Sequence, residues 1–170
     1  MTIAYELRCR ECGKSYGIQP LSICEECFSP LEVVYDLEYA RTRFTREAIS
    51  QGPLNMWRYR ALLPVSDSYQ PQTPAGFTPL MKAPRLGAHI GANNLFLKND
   101  AVCLPTLSFK DRVVAVALAN AQAFGFDTVG CSSTGNLANA VAAQAARLGL
   151  KSIILVPDDL EPAKSRNTQV

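Results

Sequence analysis

The chain has 170 residues, 48% of them hydrophobic and 19% charged, with a formal net charge of +2. That mix supports a buried core and excludes an intrinsically disordered chain, and the charge gives no broad pull toward nucleic acid or a membrane surface. No apolar run approaches the roughly 18 residues of a spanning helix, and the opening MTIAYELRCRECG has no apolar signal core, so the expected location is cytoplasmic.

Residues 1–38 read as a small cysteine-bearing module. Cys9 and Cys12 form one C-x-x-C pair and Cys24 and Cys27 another, with eleven residues between them. Zinc takes four soft ligands at tetrahedral corners, and two tight turns supply two thiolates each. The spacing is zinc-ribbon-like; the competing reading is four thiols with no metal. A closed four-thiolate site has no open coordination position, so its role would be structural or interactive rather than catalytic. LEVVYDL, at 31–37, suits an exposed strand of this module.

Residues 39–75 read as a helix and a linker. YARTRFTREAISQG fits one helix over 39–52 with Gly52 as its stop. PLNMWRYRALLPVSDSYQPQTPAG holds the only Trp and four prolines and reads as irregular.

From Gly76 to residue 170 the pattern is α/β. Leu95–Leu97 suits a short strand. A helix follows from 109 to about 125, with Val113, Val116, Ala117, Ala121 and Phe124 at helical spacing. Thr128–Cys131 reads as a buried strand, NLANAVAAQAARLG as a second helix closed by Gly149, and Ser152–Pro157 as a strand covered on both faces. This order predicts parallel strands with right-handed crossovers. LEPAKSRNTQV reads as the opening of a further helix, so the chain is expected to be the front part of a longer polypeptide.

Two strand-to-helix junctions carry chemistry. In TLSFKDR, Ser108 followed three residues later by Asp111 resembles a capping box with the acid one carbon short. Ser108 is then the N-cap and Lys110 lies in the first turn. A helix N-terminus is partially positive and disfavours an ammonium group, and burial acts in the same direction. A neutral lysine amine is a nucleophile that forms imines with carbonyls. The alternative is a lysine on a solvated helix face. In CSSTGN, at 131–136, hydroxyls and free backbone N–H groups suit an anion, and Gly135 permits close approach; the alternative is an ordinary capped helix start. Ligands of parallel α/β sheets bind beyond the carboxyl ends of the strands, where both junctions fall. Together they point to a carbonyl cofactor held beside an anionic substrate. Cys103 and Cys131 read as small buried hydrophobes and His89 as structural. A hydrolase built on Ser108 and Lys110 is disfavoured, because a capping hydroxyl is already engaged.

GFTPL (76–80), LFLKND (95–100), PTLSFKDR (105–112) and SSTGNLANAVAAQAARLG (132–149) resemble the threonine synthase family, pyridoxal-phosphate (PLP) enzymes of the tryptophan-synthase-β fold group. The front stretch CRECG…CEECFSPLEVVYDLE is similar to the cysteine-rich start of one branch of that family. The resemblance implies an α/β fold with a parallel three-layer sheet of the PLP fold-type II kind, incomplete in this chain, after the zinc-ribbon-like module. It assigns Lys110 the imine link to PLP and Asn136 a hydrogen bond to the cofactor's ring oxygen. Ser132, Ser133, Thr134, Gly135 and Asn136 would hold the substrate carboxylate. Arg112 and Lys98 are secondary candidates for contacting a leaving phosphate, each equally a surface charge. The family converts O-phospho-L-homoserine and water into L-threonine and phosphate, and its members are often homodimers. The cradle for the cofactor phosphate and the group facing the pyridine nitrogen are expected downstream of Val170. The 170 residues alone are therefore expected to bind PLP weakly and turn over nothing. Threonine dehydratase, cysteate synthase and diaminopropionate ammonia-lyase remain alternatives on the same fold. A non-catalytic zinc-ribbon interaction protein is the alternative of another class.

Overall fold

The computed structural model describes residues 5–66, 68–159, 161 and 166; the helix expected over LEPAKSRNTQV lies outside them, Glu161 and Arg166 excepted. The chain forms two compact units, one of residues 1–71 with 116–127, the other of residues 72–115 with 128–170. No helix of the described residues is long and apolar enough to cross a membrane.

In the first unit an antiparallel sheet runs in the order β2 (Ser15–Tyr16), β1 (Tyr5–Cys9), β3 (Leu31–Tyr35). Leu7 faces Tyr16 on one side and Val33 on the other, and Cys9 faces Leu31. Cys9, Tyr16 and Cys24 are buried, with Leu7, Leu21 and Leu31 packed against them. Burying a leucine fully contributes about 1.5–3 kcal/mol, so a core this small needs a staple beyond hydrophobic burial.

The single helix expected over 39–52 is two: α1 (Leu37–Arg43) and α2 (Arg46–Gln51). Thr45 makes the break. Its backbone is extended and its Oγ1 accepts from Ala48 N at 3.2 Å, so it caps α2 instead of continuing α1. Gly52 ends α2, its N–H donating to Ile49 O. The stretch expected to be irregular contains a 3-10 helix, Met56–Leu62. Asn55 Oδ1 caps it by accepting from Trp57 N at 3.0 Å, and Met56 and Trp57 are buried. The flanking prolines, Pro53 and Pro64, bound this helix without entering it.

In the second unit β4 (Leu80–Lys82) pairs antiparallel with β5 (Phe96–Lys98), Met81 facing Leu97. Helix α3 (Pro84–Ile90) connects them, with Pro84 at its first turn. Sequence order placed the 95–97 strand in the parallel sheet; it pairs instead with β4, whose three residues LMK carry too little pattern to be read as a strand. Helix α4 spans Lys110–Ala123, its residues 110–115 belonging to this unit and 116–123 to the first. Then β6 (Thr128–Ser132), α5 (Asn136–Leu148) and β7 (Lys151–Leu155) form a β-α-β unit whose strands are parallel, Gly130 beside Ile153. Helix α5 packs on both strands. The two-faced cover expected for the last strand is not found among the described residues. Ile153 is 56% and Leu155 63% exposed, because α5 meets the sheet from one side.

Helix α5 stops at Gly149, which has φ of +70° and donates to Ala145 O and Ala146 O, while Leu150 N donates to Ala145 O at 2.9 Å. A Cβ at Gly149 would meet nothing within 4 Å, so only the backbone conformation opposes a side chain there. At Gly87 a Cβ would lie 2.4 Å from the Ala92 carbonyl oxygen. Gly149→Ala should therefore destabilise the protein by about 1 kcal/mol, and Gly87→Ala by more, roughly 2–4 kcal/mol, since backbone must move. Urea unfolding of both variants checks the ranking.

Candidate functional site

Lys110 opens α4. Ser108 Oγ accepts from Lys110 N at 3.2 Å, and two tight bonds, Asp111 N to Ser108 O and Arg112 N to Phe109 O, both 3.1 Å, wind the first turn. The Asp111 carboxylate returns a bond to Ser108, accepting from its N–H at 3.4 Å. The two residues thus reciprocate as a capping box, with the hydroxyl given to the residue before Asp111. Lys110 is half-buried. Among the described residues its amine makes no hydrogen bond or ion pair; Nζ lies over the Phe109 ring, 4.8 Å from its centroid. That contact is weak at a ring left 53% exposed.

Asp111 does far more than cap. It is fully buried, and its oxygens also accept from Thr106 N at 2.9 Å, Thr106 Oγ1 at 2.8 Å and Gln144 Nε2 at 3.2 Å. Gln144 Nε2 reaches the Asp111 backbone carbonyl as well, at 3.0 Å. Gln144 is itself fully buried in the middle of α5, and its Oε1 has no hydrogen-bond partner.

The second junction lies at the other end of α5. Ser132, Thr134, Gly135 and Asn136 are exposed and Ser133 is half-buried, its Oγ accepting from Gly135 N at 3.3 Å. Gly135 is the N-cap and provides no side-chain bond, so the first N–H groups of α5 remain unclaimed by a cap. A Cβ at Gly135 would meet nothing within 4 Å, so the turn is open. One turn into the helix, the buried Oδ1 of Asn139 has no partner among the described residues. Asn139 and Gln144 were not singled out from the sequence; the available signal was two amides inside the apolar run 138–145.

Arg112 and Lys98 are occupied within the chain. Arg112 Nη1 donates to Asp100 Oδ2 at 2.7 Å and Nη2 to Asp100 Oδ1 at 2.9 Å and Thr78 Oγ1 at 3.2 Å. Thr78 Oγ1 donates to Asp100 Oδ1 at 2.6 Å, and Lys98 Nζ donates to the Thr78 carbonyl. The guanidinium fork closes on a carboxylate, which leaves it poorly placed to receive a phosphate. Cys103 is fully buried and Cys131 half-buried, both outside any cluster of metal-ligating groups among the described residues, and His89 is exposed.

The four cysteines of the first unit come together, their sulfurs all within 4.8 Å of one another. Cys9 and Cys27 sulfurs are 3.3 Å apart and those of Cys12 and Cys24 3.6 Å. A zinc–sulfur bond of about 2.3 Å puts tetrahedral corners about 3.8 Å apart, close to these spacings. The two C-x-x-C turns are built alike. Gly13 N donates to Cys9 O and Phe28 N to Cys24 O, and Gly13 and Phe28 have φ of +73° and +58°. Glycine takes that conformation freely; Phe28 takes it at a cost, held by its turn. Tyr16 Oη lies 3.1 Å from Cys24 Sγ and accepts from Glu25 N at 3.0 Å. That hydroxyl, with the Cys27 backbone N–H, brings the Cys24 thiol down to about 6. The Ser29 backbone N–H likewise lowers Cys27. Cys12 is drawn down by the Lys14 backbone N–H but pushed up more by the neighbouring thiols, to about 12. Four sulfurs this close cannot all ionise unless a cation sits among them.

A family model described as "Pyridoxal-phosphate dependent enzyme" matches residues 72–170. Among curated proteins, "Threonine synthase" of Methanocaldococcus jannaschii is 37% identical over 152 residues, 89% of this chain and 37% of that protein. "Threonine synthase" of Methanosarcina acetivorans is 37% identical over 155 residues, 90% of this chain and 37% of that protein. "Threonine synthase" of Synechocystis sp. is 43% identical over 106 residues, 59% of this chain and 26% of that protein. The chain thus spans well under half the length of these relatives.

The Asp100–Arg112 pair makes stability pH-dependent. Arg112 first, and the Thr78 hydroxyl second, hold the Asp100 carboxyl below its ordinary value. A carboxyl lowered on folding adds stability that is complete above its unfolded value, about 3.9, and is lost as pH falls through the folded value. The side chains are 27% and 33% exposed, which keeps the effect modest. Asp100→Asn should cost about 1 kcal/mol at pH 7. The difference from wild type should shrink as the pH drops below 3.9 or so. Urea titrations at several pH values measure both.

Proposed function

We propose, from the premise that the chain belongs to the pyridoxal-phosphate-dependent enzyme family, that its residues serve a threonine synthase acting in the cytoplasm on O-phospho-L-homoserine and water. The observation that carries this reading is the Lys110 amine, half-buried at the start of α4 and free of hydrogen bonds and ion pairs among the described residues. An amine left without a salt-bridge partner is available for covalent chemistry.

The residues fit PLP by the chemistry of the donor set. The open space at Gly135, the uncapped N–H groups of α5 and the orphaned Asn139 oxygen all call for polar atoms that the described residues do not supply. Bound PLP supplies an aldehyde for Lys110 and a conjugated ring that withdraws electrons from the substrate carbons. Asn136 holds the cofactor through its ring oxygen. Ser132, Ser133, Thr134, Gly135 and Asn136 hold the substrate carboxylate, the helix N-terminus adding its partial positive charge. Lys110 would anchor the cofactor and, as a free amine, would take protons from Cα and Cβ and return them to Cγ and Cα. Phosphate would leave from Cγ, which gains the proton that Cβ loses, and water would add at Cβ, its hydroxyl staying on the carbon and its other proton going to the phosphate. Arg112 is left out of phosphate binding because Asp100 holds it.

Cys9, Cys12, Cys24 and Cys27 hold a structural zinc that staples the small sheet, a reading supported by their sulfur spacing.

Four experiments test these assignments. In the complete protein with PLP, borohydride reduction and peptide mapping should place the adduct on Lys110. Phosphate should be released from O-phospho-L-homoserine, with no comparable ammonia from threonine or diaminopropionate. Lys110→Ala should lose on the order of 1000-fold in kcat or more. An adduct elsewhere, or ammonia as the main product, refutes the assignment. Metal analysis should find one zinc per chain, and Cys24→Ser should lose it and melt at least about 5 °C lower.

A further inference from the structure

We propose that Asp111 and Gln144 are positioning residues that fix where the Lys110 amine is presented relative to the N-terminus of α5. The inference rests on the reading of Lys110 given above and adds two residues to it.

The bond pattern carries it. A buried carboxylate must have its lone pairs met. Those of Asp111 are met from two places: the loop ahead of α4, through Thr106 N, Thr106 Oγ1 and Ser108 N, and helix α5, through Gln144 Nε2. Gln144 spans both the carboxylate and the backbone carbonyl of Asp111, so it registers the first turn of α4 rather than a flexible side chain alone. Lys110 is the residue immediately before Asp111 in that turn. Helix α5 in turn starts at Asn136, directly after the open loop 132–135. Gln144 is therefore the hydrogen-bonded tie between the turn that carries the amine and the helix that carries the anion site.

Packing alone does not call for these residues. Buried polar groups replaced together by apolar ones of similar volume often cost nothing, because desolvation is avoided. Here the polar pair is present although Gln144 Oε1 stays unpartnered in the core. The amide cannot simply be reversed to relieve this, since its oxygen would then face the Asp111 oxygens. What the arrangement supplies is direction: a charge-assisted bond has a preferred length and angle, which dispersion contacts lack.

The test compares wild type, Gln144→Leu and the milder Thr106→Val in the complete, PLP-loaded protein, well below each variant's melting temperature. Helix α5 and its loop keep their packing on β6 and β7, so substrate binding should hold while the amine wanders. For Gln144→Leu we expect kcat down about tenfold and KM within about twofold; for Thr106→Val, kcat down about threefold. The visible circular dichroism per bound cofactor should change in step, since it reports how the chromophore is held. Unchanged kcat and ellipticity in a folded Gln144→Leu protein, with only a lower melting temperature, overturn the proposal. If Gln144→Leu does not fold, Thr106→Val decides on the same readouts. Borohydride mapping of the wild type separates the two readings. With Lys110 trapped and the variants unaltered, the positioning role alone fails; with Lys110 untrapped in wild type, both fail.

Discussion

A carboxylate removed from water must be surrounded by donors, and Asp111 is the place where this chain meets that demand. Its oxygens are met by hydrogen bonds from Thr106, Ser108 and Gln144. Much else follows from that one requirement. Thr106 has to offer both its backbone N–H and its hydroxyl, which fixes the loop entering α4. Ser108 has to turn its N–H inward, which leaves its hydroxyl to cap Lys110 N. An amide has to stand in the middle of α5, where the neighbouring positions Ala142 and Ala145 are buried and apolar. Losing any one of these donors would leave a lone pair unmet in the interior, at about 1–3 kcal/mol.

The cysteine module solves a related problem by other means. Its apolar core is too slight to hold a three-stranded sheet by burial; Cys9 and Cys24 are part of that core, and the exposed Cys12 and Cys27 close the sulfur cluster beside it. Crowded thiols repel when ionised and gain little when neutral, so the arrangement is stable to the extent that a cation completes it. The positive φ at Phe28 belongs to the same account. A bulky residue is held in a left-handed turn that brings Cys24 and Cys27 to the sulfur cluster, as Gly13 does more cheaply for Cys9 and Cys12.

What could be read in the sequence follows the range of the forces involved. The two C-x-x-C turns, the helix starts at Ser108 and Gly135 and the stop at Gly149 are set by neighbours a few residues apart, and local spacing reports them. The β6–α5–β7 unit was legible because apolar runs and a helical period alternate within 30 residues or so. The pairing of β5 with β4 was not, because three-residue strands carry almost no period and their register is decided by tertiary contacts. Nor was the break at Thr45, where a capping hydroxyl outweighs a continuous helical pattern. At the site, Lys110 and the 132–136 loop stood out by motif. Gln144 did not, since its partner Asp111 lies 33 residues away in sequence. The pairing of Arg112, a secondary phosphate candidate that was equally a surface charge, was not legible either: Asp100, which closes its fork, lies in a separate short 3-10 turn.

The same network bears on the pairing of a lysine with an aspartate next to it in sequence. Lys110 and Asp111 are adjacent opposite charges, and on a solvated helix the simplest outcome would be that each finds an opposite charge nearby. Successive residues point about 100° apart around a helix, so the two side chains leave the turn in different directions. Asp111 faces inward, and both its oxygens are taken by Thr106, Ser108 and Gln144. Arg112, the next cation along, is taken by Asp100. Asp111 and Asp100 are thus committed to partners other than Lys110, and among the described residues the amine makes no hydrogen bond or ion pair and lies over the face of Phe109. A lysine meant for a surface salt bridge would not need its acidic neighbour Asp111 committed elsewhere. One meant to react with a carbonyl does, because an amine tied into an ion pair is a poor nucleophile.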